Sequence, residues 1–165
     1  MSELMIEADG SCHCGSVRYQ VRGSLMLSAY CHCKNCTASK GASPVHLVAV
    51  QGADSVQVEE GSGEVVTRES GRMRFVTCAS CHGPVMQHPA DAPFRVVFPV
   101  NLDLARGQAG DDHGADRIPD ELAPSMHLNY ENRLFDWHDD LPKYKVFVPD
   151  DELDSGGHLK SGVDA

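Results

Sequence analysis

The cysteines are the residues of this chain whose type and spacing could do chemistry. All seven lie in three short groups, which are Cys12 and Cys14, then Cys31, Cys33 and Cys36, then Cys78 and Cys81. Cys-x-Cys and Cys-x-x-Cys spacings are typical of metal chelation, because the turn that carries such a group directs neighbouring sulfurs to one centre. Seven thiols divide most simply into a set of four, which closes a tetrahedral zinc site, and a set of three, which leaves one coordination position for another ligand.

The two sets would have different chemistry. Four thiolates around Zn²⁺ hold distant chain segments together, and the binding free energy then contributes to folding. Three thiolates leave the metal a weak Lewis acid, so an open site of this kind suits a soft ligand, above all an incoming thiol. The reaction that follows is formation or cleavage of a carbon–sulfur bond. Cys31, Cys33 and Cys36 are the best candidates for the open site, because one continuous segment supplies all three sulfurs. The other four would then form the closed site.

Spacing alone leaves three other arrangements open. Two closed structural sites could form if a histidine, such as His32 or His82, supplied an eighth ligand. The first Cys-x-Cys pair could instead share a centre with Cys31 and Cys33. A disulfide framework is the third alternative, but an odd number of thiols strands one of them, and adjacent Cys-x-Cys pairs are poorly placed to bridge each other.

A few further side chains could take part in chemistry. His32 lies between two thiols and could act as an acid–base group, although the middle residue of Cys-x-Cys usually points away. His127 could face an open zinc position, but a strand histidine is usually structural. We expect Tyr130 and Trp137 to be core anchors. The sequence shows no Ser-His-Asp arrangement, phosphate-binding glycine loop or convincing carboxylate pair, so other catalytic classes have no support.

Short strands must position these groups. Alternating apolar and polar residues predict strands at 16–22 and 56–60, and apolar or β-branched runs predict strands at 25–30, 45–50, 64–68, 72–77, 85–88, 94–100 and 125–130. Gly23 and Ser24 are interpreted as the end of the first strand, residues 1–9 as a polar lead-in, and Thr37 to Pro44 as a loop or one helical turn. With almost no amphipathic helix, the pattern predicts a mainly β domain of antiparallel sheets.

Composition and charge narrow the function classes. The 165 residues fit one domain, and the net charge of −10 disfavours nucleic acid as a partner, because phosphate binding needs a basic field. No apolar run is long enough to span a membrane. The N-terminus has no apolar stretch suited to a signal peptide, and we therefore expect a reducing, cytoplasmic location in which thiols stay free for metal.

The cysteine pattern also resembles a known family. Its elements are Cys12-x-Cys14-Gly15-x-Val17-x-Tyr19, then Cys31-His32-Cys33-x-x-Cys36 with Gly41, then Phe75-x-x-Cys78-x-x-Cys81. In this order they resemble the glutathione-dependent formaldehyde-activating enzyme (GFA) family, whose domain is shared with centromere protein V. The run from Pro124 to His127, Trp137 and Leu141-Pro142 is similar to the family's closing region. The resemblance predicts a GFA-like domain at 8–145, after a lead-in at 1–7 and before an acidic, disordered tail at 149–165.

The resemblance implies a fold, a metal content and an activity. The fold is a β-tent of antiparallel sheets with zinc-ribbon-like knuckles. The first and last cysteine pairs would hold a structural zinc, and the middle three cysteines would hold a catalytic zinc, which makes two zinc ions per chain. The implied activity is that of a carbon–sulfur lyase: glutathione and formaldehyde condense to S-hydroxymethylglutathione, and the reverse. The implied partner is a small thiol, with a homodimer possible.

Two departures from the family pattern bear on the substrate. The family commonly has Arg directly after the third middle cysteine, where this chain has Thr37, and glycine directly after the last cysteine, where this chain has His82. The first change removes a cation near the predicted open site, although four strand arginines, Arg68, Arg72, Arg74 and Arg95, could offer a basic pocket. The alternative function is a non-enzymatic binding module with two structural zinc sites, which would use the acidic loop at 105–121 and the acidic tail as contact surfaces.

Overall fold

The computed structural model describes residues 3–106 and 117–160, with Arg106 described by its backbone alone. Its contacts group into two compact units. The first comprises Met1–Leu27 and Leu47–Ala123, and the second comprises Ser28–His46 and Pro124–Ala165. The chain is mainly β, as predicted, and its strands pair in a large mixed sheet.

The regular elements are short, apart from one long strand. The strands are β1 (Met5–Ser11), β2 (Arg18–Cys31), β3 (Val45–Gln51), β4 (Val56–Val58), β5 (Val65–Ser70), β6 (Met73–Cys78), β7 (Pro84–Pro89), β8 (Phe94–Val97), β9 (His127–Leu128), β10 (Lys143–Tyr144) and β11 (Glu152–Leu153). The α-helices are α1 (Lys34–Lys40) and α2 (Asp103–Arg106), and single 3-10 turns lie at Pro99–Asn101, Asp120–Leu122 and Tyr130–Asn132.

The first unit is built from antiparallel pairs. β1 pairs with the first half of β2, and β4 pairs with the same half. β3, β8, β7, β6 and β5 follow one another in hydrogen-bonded order. The core of this unit is rich in β-branched side chains, which fit a pleated surface, and it surrounds the fully buried Tyr19. Cys12 and Cys78 belong to that same core, so the first candidate metal centre begins inside it.

The second unit contains the parallel pairs. The end of β2 pairs in parallel with β9, which places Tyr30 opposite His127 and Cys31 opposite Leu128. β9 also pairs in parallel with β10, where Lys143 lies opposite His127, and β10 pairs antiparallel with β11. These pairings bring the residues around position 31 to those around 127 and 143. The sheets are therefore mixed, where the sequence pattern suggested antiparallel pairs throughout.

The N-terminal strands differ from the sequence expectation in two ways. β1 occupies part of the predicted polar lead-in, because Ile6, Ala8 and Gly10 alternate toward the core and two of these side chains are too small to signal a strand. β2 is one strand of 14 residues and does not break at Gly23. A Cβ at Gly23 would lie 2.5 Å from the carbonyl oxygen of Gln51, so this glycine permits a close approach of backbones and does not make a turn.

The C-terminal stretch and the acidic loop can be compared with prediction only in part. Within the predicted tail at 149–165, β11 pairs with β10, and Leu153 is buried. Residues 161–165 lie outside the described residues, as do residues 107–116 of the acidic loop at 105–121. Among the described helices, none is long and apolar enough to cross a membrane.

Candidate metal centres

Four cysteine sulfurs from two separate turns meet in the first unit. Cys12 and Cys14 follow directly on β1, and Cys78 ends β6, with Cys81 in the turn before β7. All four sulfurs lie within 4.8 Å of one another. Measured pairs are 3.5 Å apart for Cys12 and Cys14 and 3.9 Å apart for Cys14 and Cys78. A tetrahedral zinc with Zn–S bonds of about 2.3 Å needs sulfurs about 3.8 Å apart, so the donor set fits this metal.

The surroundings of this cluster favour thiolates over thiols. The hydroxyl of Ser16 lies 3.1 Å from Sγ of Cys14 and 3.4 Å from Sγ of Cys78. That hydroxyl, followed by the backbone N–H of Cys81, lowers the pKa of Cys78 to about 5. It is also the main cause of the lowered pKa of Cys14, whereas burial raises the pKa of Cys12. Because thiolates are the metal-binding form of cysteine, these lowered pKa values favour binding of a cation.

The turn after Cys81 has a backbone conformation that suits the family's glycine better than the His82 of this chain. His82 has φ 58°, a left-handed conformation that glycine adopts at little cost and that other residues seldom adopt. The backbone conformation is thus one that favours glycine, although the residue is histidine. Gly83 is needed for a different reason, because a Cβ there would lie 3.2 Å from Sγ of Cys81 and from the backbone nitrogen of His13.

Three further sulfurs meet in the second unit. Cys31 ends β2, Cys33 is the N-cap of α1, and Cys36 lies in the first turn of that helix. Their sulfurs lie within 4.8 Å of one another. Among the described residues, neither of the two sulfur groups includes a histidine, and the three-sulfur group includes no carboxylate. The three sulfurs fit three corners of a tetrahedral site, and the division into four and three agrees with the one expected from spacing.

The three sulfurs have unequal proton affinities. Hydrogen bonds from the thiols of Cys31 and Cys36 lower the pKa of Cys33 to about 3, with further help from the backbone N–H of Cys36. Hydrogen bonds with Cys33 and Cys36, followed by burial, raise the pKa of Cys31. Nδ2 of Asn129 lies 3.6 Å from Sγ of Cys31 and donates to it. This donor stabilises negative charge on Sγ of Cys31, which burial by itself disfavours.

Thr37 does not offer its side chain to a ligand. Its Oγ1 donates to the carbonyl oxygens of Cys33 at 3.1 Å and Lys34 at 3.3 Å, so it is used inside the helix. An open cavity of about 400 Å³ lies beside α1 and is lined by Lys34, Thr37, Ala38, Gly41, Ala42, Ser43 and Leu134. Lys34 is the charged group of that lining. The strand arginines are partly engaged elsewhere, since Arg74 pairs with Glu69 and Arg95 donates to backbone carbonyls.

A chain of hydrogen-bonded polar groups, most of them buried, begins at His32. Nε2 of His32 lies 2.8 Å from Nδ1 of His127, whose Nε2 lies 2.8 Å from Oδ2 of Asp139. Nζ of Lys143 donates to Oδ1 of Asp139 at 2.6 Å and to the carbonyl oxygens of Asp139 and Leu141 at 2.9 Å. Both histidines and Lys143 are buried. The sequence singled out His32 and His127, but it gave no reason to connect them with Asp139 or Lys143.

Burial determines the charge state of the histidines. Desolvation, with the His127 ring as the next cause, lowers the pKa of His32 to about 4. Desolvation also lowers the pKa of His127, although Asp139 opposes that shift. Partial burial works against the ionised form of Asp139, but hydrogen bonds from Lys143 and His127 outweigh it and lower the pKa of that carboxyl. Near neutral pH the network therefore contains two neutral imidazoles, a carboxylate and an ammonium group.

The predicted aromatic anchors enclose this network. Tyr130 is fully buried and meets both histidine rings edge-on, with centroids 5.1 Å from His32 and 5.5 Å from His127. Trp137 is only half-buried, yet its ring lies 5.9 Å from that of His127. Phe135 stacks on Trp137 and is exposed. Tyr130 is thus a core residue as expected, whereas Trp137 contacts the network but stays partly exposed.

Comparison with known proteins agrees with the cysteine geometry. The sequence matches the family described as glutathione-dependent formaldehyde-activating enzyme, GFA, over residues 7–132. The chain belongs to this family. The matched range holds all seven cysteines, His32 and His127, and it ends before Asp139 and Lys143.

Other comparisons add less to the GFA assignment. No curated protein matches the sequence. A crystal structure of a Rhodobacter sphaeroides protein is 18% identical, covers 58% of this chain and 87% of its own chain, and has a TM-score of 0.47. A likeness at that score supports no conclusion about shared fold or function.

Proposed function

We propose that this chain is a zinc-dependent carbon–sulfur lyase that acts on small thiol adducts at an open site made by Cys31, Cys33 and Cys36. The observation that carries the proposal is a group of three convergent sulfurs that, among the described residues, includes no fourth protein ligand. Membership of the GFA family supports glutathione and formaldehyde as the substrates. The catalytic assignment of these three cysteines rests on that combination.

The reaction would proceed without an external oxidant or reductant. The thiol of glutathione gives up its proton, its sulfur attacks the carbon of formaldehyde, and the carbonyl oxygen takes a proton, which yields the S-hydroxymethyl adduct. When bound, zinc supplies a coordination position that favours the thiolate form of the substrate. Asn129, by donating to Cys31, would stabilise negative charge on that buried sulfur. The reverse reaction uses the same groups in the opposite order.

The second sulfur cluster would have a structural role. Cys12, Cys14, Cys78 and Cys81 complete a tetrahedron by themselves, and two of the four lie in the core of the first unit. A zinc ion held there joins chain segments more than 60 residues apart, and its binding free energy would act as folding free energy. We therefore expect two zinc ions per chain with unequal accessibility.

The expected substrate is a small thiol such as glutathione, which carries carboxylates. Few cations in the described part of the chain are available near the site to pair with them. Lys34 lines the cavity beside α1 and could meet one carboxylate of glutathione. Free thiolates of this kind need a reducing compartment such as the cytoplasm, and the net charge of −10 disfavours nucleic acid as a partner. A homodimer is compatible with this function but is not required by it.

The decisive measurement is zinc per chain in anaerobically purified protein, with and without glutathione. The expected result is two zinc ions, one of which exchanges and changes its coordination spectrum when glutathione is added. S-methylglutathione, whose sulfur carries no proton, is the matched control and should leave that zinc unchanged. NMR detection of S-hydroxymethylglutathione formed from glutathione and formaldehyde tests turnover directly. Two inert zinc ions and no turnover would overturn the proposal and favour the binding module with two structural sites.

A further inference from the structure

The hydrogen-bonded chain from Lys143 to His32 has a direction. The carboxylate of Asp139 can only accept, so the proton between it and His127 belongs to Nε2 of His127. A neutral His127 then has an unprotonated Nδ1, which can only accept from Nε2–H of His32. Nδ1 of His32 is therefore left without a proton. The ion pair between Lys143 and Asp139 therefore fixes which ring nitrogen carries the proton, first in His127 and then in His32.

The last atom of this chain has no partner among the described residues. Nδ1 of His32 is buried and makes no hydrogen bond, although His32 is only 1% exposed. A buried acceptor of this kind usually meets an ordered water or a ligand, because leaving it unpaired forfeits its hydration without compensation. His32 lies in sequence between Cys31 and Cys33, two members of the three-sulfur group.

We propose that Lys143, Asp139 and His127 fix His32 as the Nε2–H tautomer, so that its Nδ1 accepts a hydrogen bond from a hydroxyl group. The hydroxyl is that of a bound water in the resting protein or that of the S-hydroxymethyl adduct when it is present; this second part rests on the proposed function. His32 contacts the hydroxyl itself, and Lys143, Asp139 and His127 are positioning residues that act through it. The aromatic enclosure supports the assignment, because Tyr130 and the stacked His127 ring hold the imidazole of His32 in one orientation.

One isosteric substitution should reverse the whole chain. In Asp139→Asn the amide oxygen would face the ammonium group of Lys143, and the amide NH₂ would donate to Nε2 of His127. The proton of His127 would then move to Nδ1 and donate to Nε2 of His32, and the proton of His32 would move to its own Nδ1. The acceptor offered by His32 becomes a donor, although no atom of His32 has been changed. Asp140→Asn, at the exposed neighbouring carboxylate, is the matched control.

The test is ¹⁵N NMR of protein labelled at histidine, with zinc bound. Nitrogen shifts and two-bond couplings show which ring nitrogen carries the proton. The expected result is the Nε2–H form for both His32 and His127 in the wild type and in Asp140→Asn, and the Nδ1–H form for both in Asp139→Asn. A wild-type His32 that is protonated at Nδ1 overturns the proposal, and this reading does not depend on whether any variant folds.

Ligand addition separates the two sources of the hydroxyl. If water is the donor, the Nδ1 signal of His32 already shows a hydrogen bond and stays unchanged with glutathione and formaldehyde. If the adduct is the donor, the signal changes only when both compounds are present. A signal typical of a free acceptor in both states overturns the proposal. In the same samples, Asp139→Asn should lower adduct turnover roughly 10- to 100-fold with its zinc content retained. Absent turnover in the wild type would count against the proposed function and leave the tautomer result standing.

Discussion

The Sγ of Cys33 accepts a hydrogen bond from the backbone N–H of Cys36 at 3.2 Å. One candidate metal ligand therefore begins the helix that carries the next, since Cys33 is the N-cap of α1. The same contact lowers the pKa of Cys33, because a backbone N–H stabilises the thiolate. The side chain of Cys33 thus caps α1 and also supplies one sulfur of the proposed open metal site.

This joint role predicts a difference between two substitutions at position 33. Cys33→Ser keeps an oxygen that can cap α1, whereas Cys33→Ala removes the cap and should cost about 1 kcal/mol more in the free energy of unfolding. Both should lose one zinc per chain, because both lack the third thiolate. Chemical denaturation and elemental analysis check the two parts. Equal stability of the variants would contradict the capping role.

The two clusters should respond differently to loss of one sulfur. Cys78 is completely buried in the core of the first unit, so Cys78→Ser should remove most of the stability of the protein. Cys36→Ser should abolish turnover and remove one zinc while circular dichroism and the cooperative unfolding transition are kept. If Cys36→Ser unfolds in the same way as Cys78→Ser, the catalytic assignment of the middle cysteines is wrong.

The side chain of Asn129 should affect the metal site independently of the backbone conformation at position 129. It has φ 53°, which asparagine tolerates and alanine does not, and its Nδ2 donates to Cys31. Asn129→Gly should keep the fold and weaken zinc binding at the three-sulfur site roughly 10- to 100-fold. Asn129→Ala should show the same loss of affinity and a further loss of about 1 kcal/mol in stability. Competition with a chromogenic chelator measures the affinity. An unchanged affinity in both variants would exclude a role for this hydrogen bond.

Lys143 should stabilise the protein most while Asp139 is ionised. Its ammonium group is buried and has three oxygen acceptors, and Asp139 is itself partly exposed, so Lys143→Met should cost about 2 kcal/mol. The pKa of Asp139 is lowered in the folded state, so the contribution of the pair is complete above the unfolded value of about 3.9 and is lost as pH falls through the folded value. Denaturation of both proteins across this range should show the gap closing toward acid. Lys160→Met, at an exposed pair with Glu152, should cost less than about 1 kcal/mol at any pH.

Gly10 should not tolerate a methyl group. A Cβ at this position would lie 2.6 Å from the ring of Tyr19, which is completely buried and cannot move aside. Gly10→Ala should therefore lower the free energy of unfolding by about 1–3 kcal/mol. Gly156→Ala is the control, since its Cβ would meet the ends of two exposed side chains, His158 and Asp154, which can move aside, and it should change stability by less than about 0.5 kcal/mol. Thermal denaturation of the two variants distinguishes these outcomes.

Some strands could be predicted from sequence patterns and others could not. Alternation predicted the first half of β2 and β4, and a valine-rich run predicted β3, because their side chains are large enough to mark the buried face. β1 was missed because its inward residues are small, and the break expected at Gly23 is absent because the glycine serves a backbone approach. Ser16, Asn129, Asp139 and Lys143 were not predicted as parts of the sites, since nothing local to them marks a partner far along the chain.

The sequence by itself determined that the thiols would lie in groups suited to metal chelation, because Cys-x-Cys and Cys-x-x-Cys are local geometries set by one turn of backbone. It also determined a mainly β chain, through the period of its apolar residues. The family resemblance implied that the first cysteine pair meets the last, as it does, but only the tertiary structure decided that His32 meets His127 and Asp139. Those meetings depend on which strands pair and in which register, and that choice is made by the packing of the whole core and not by any segment alone.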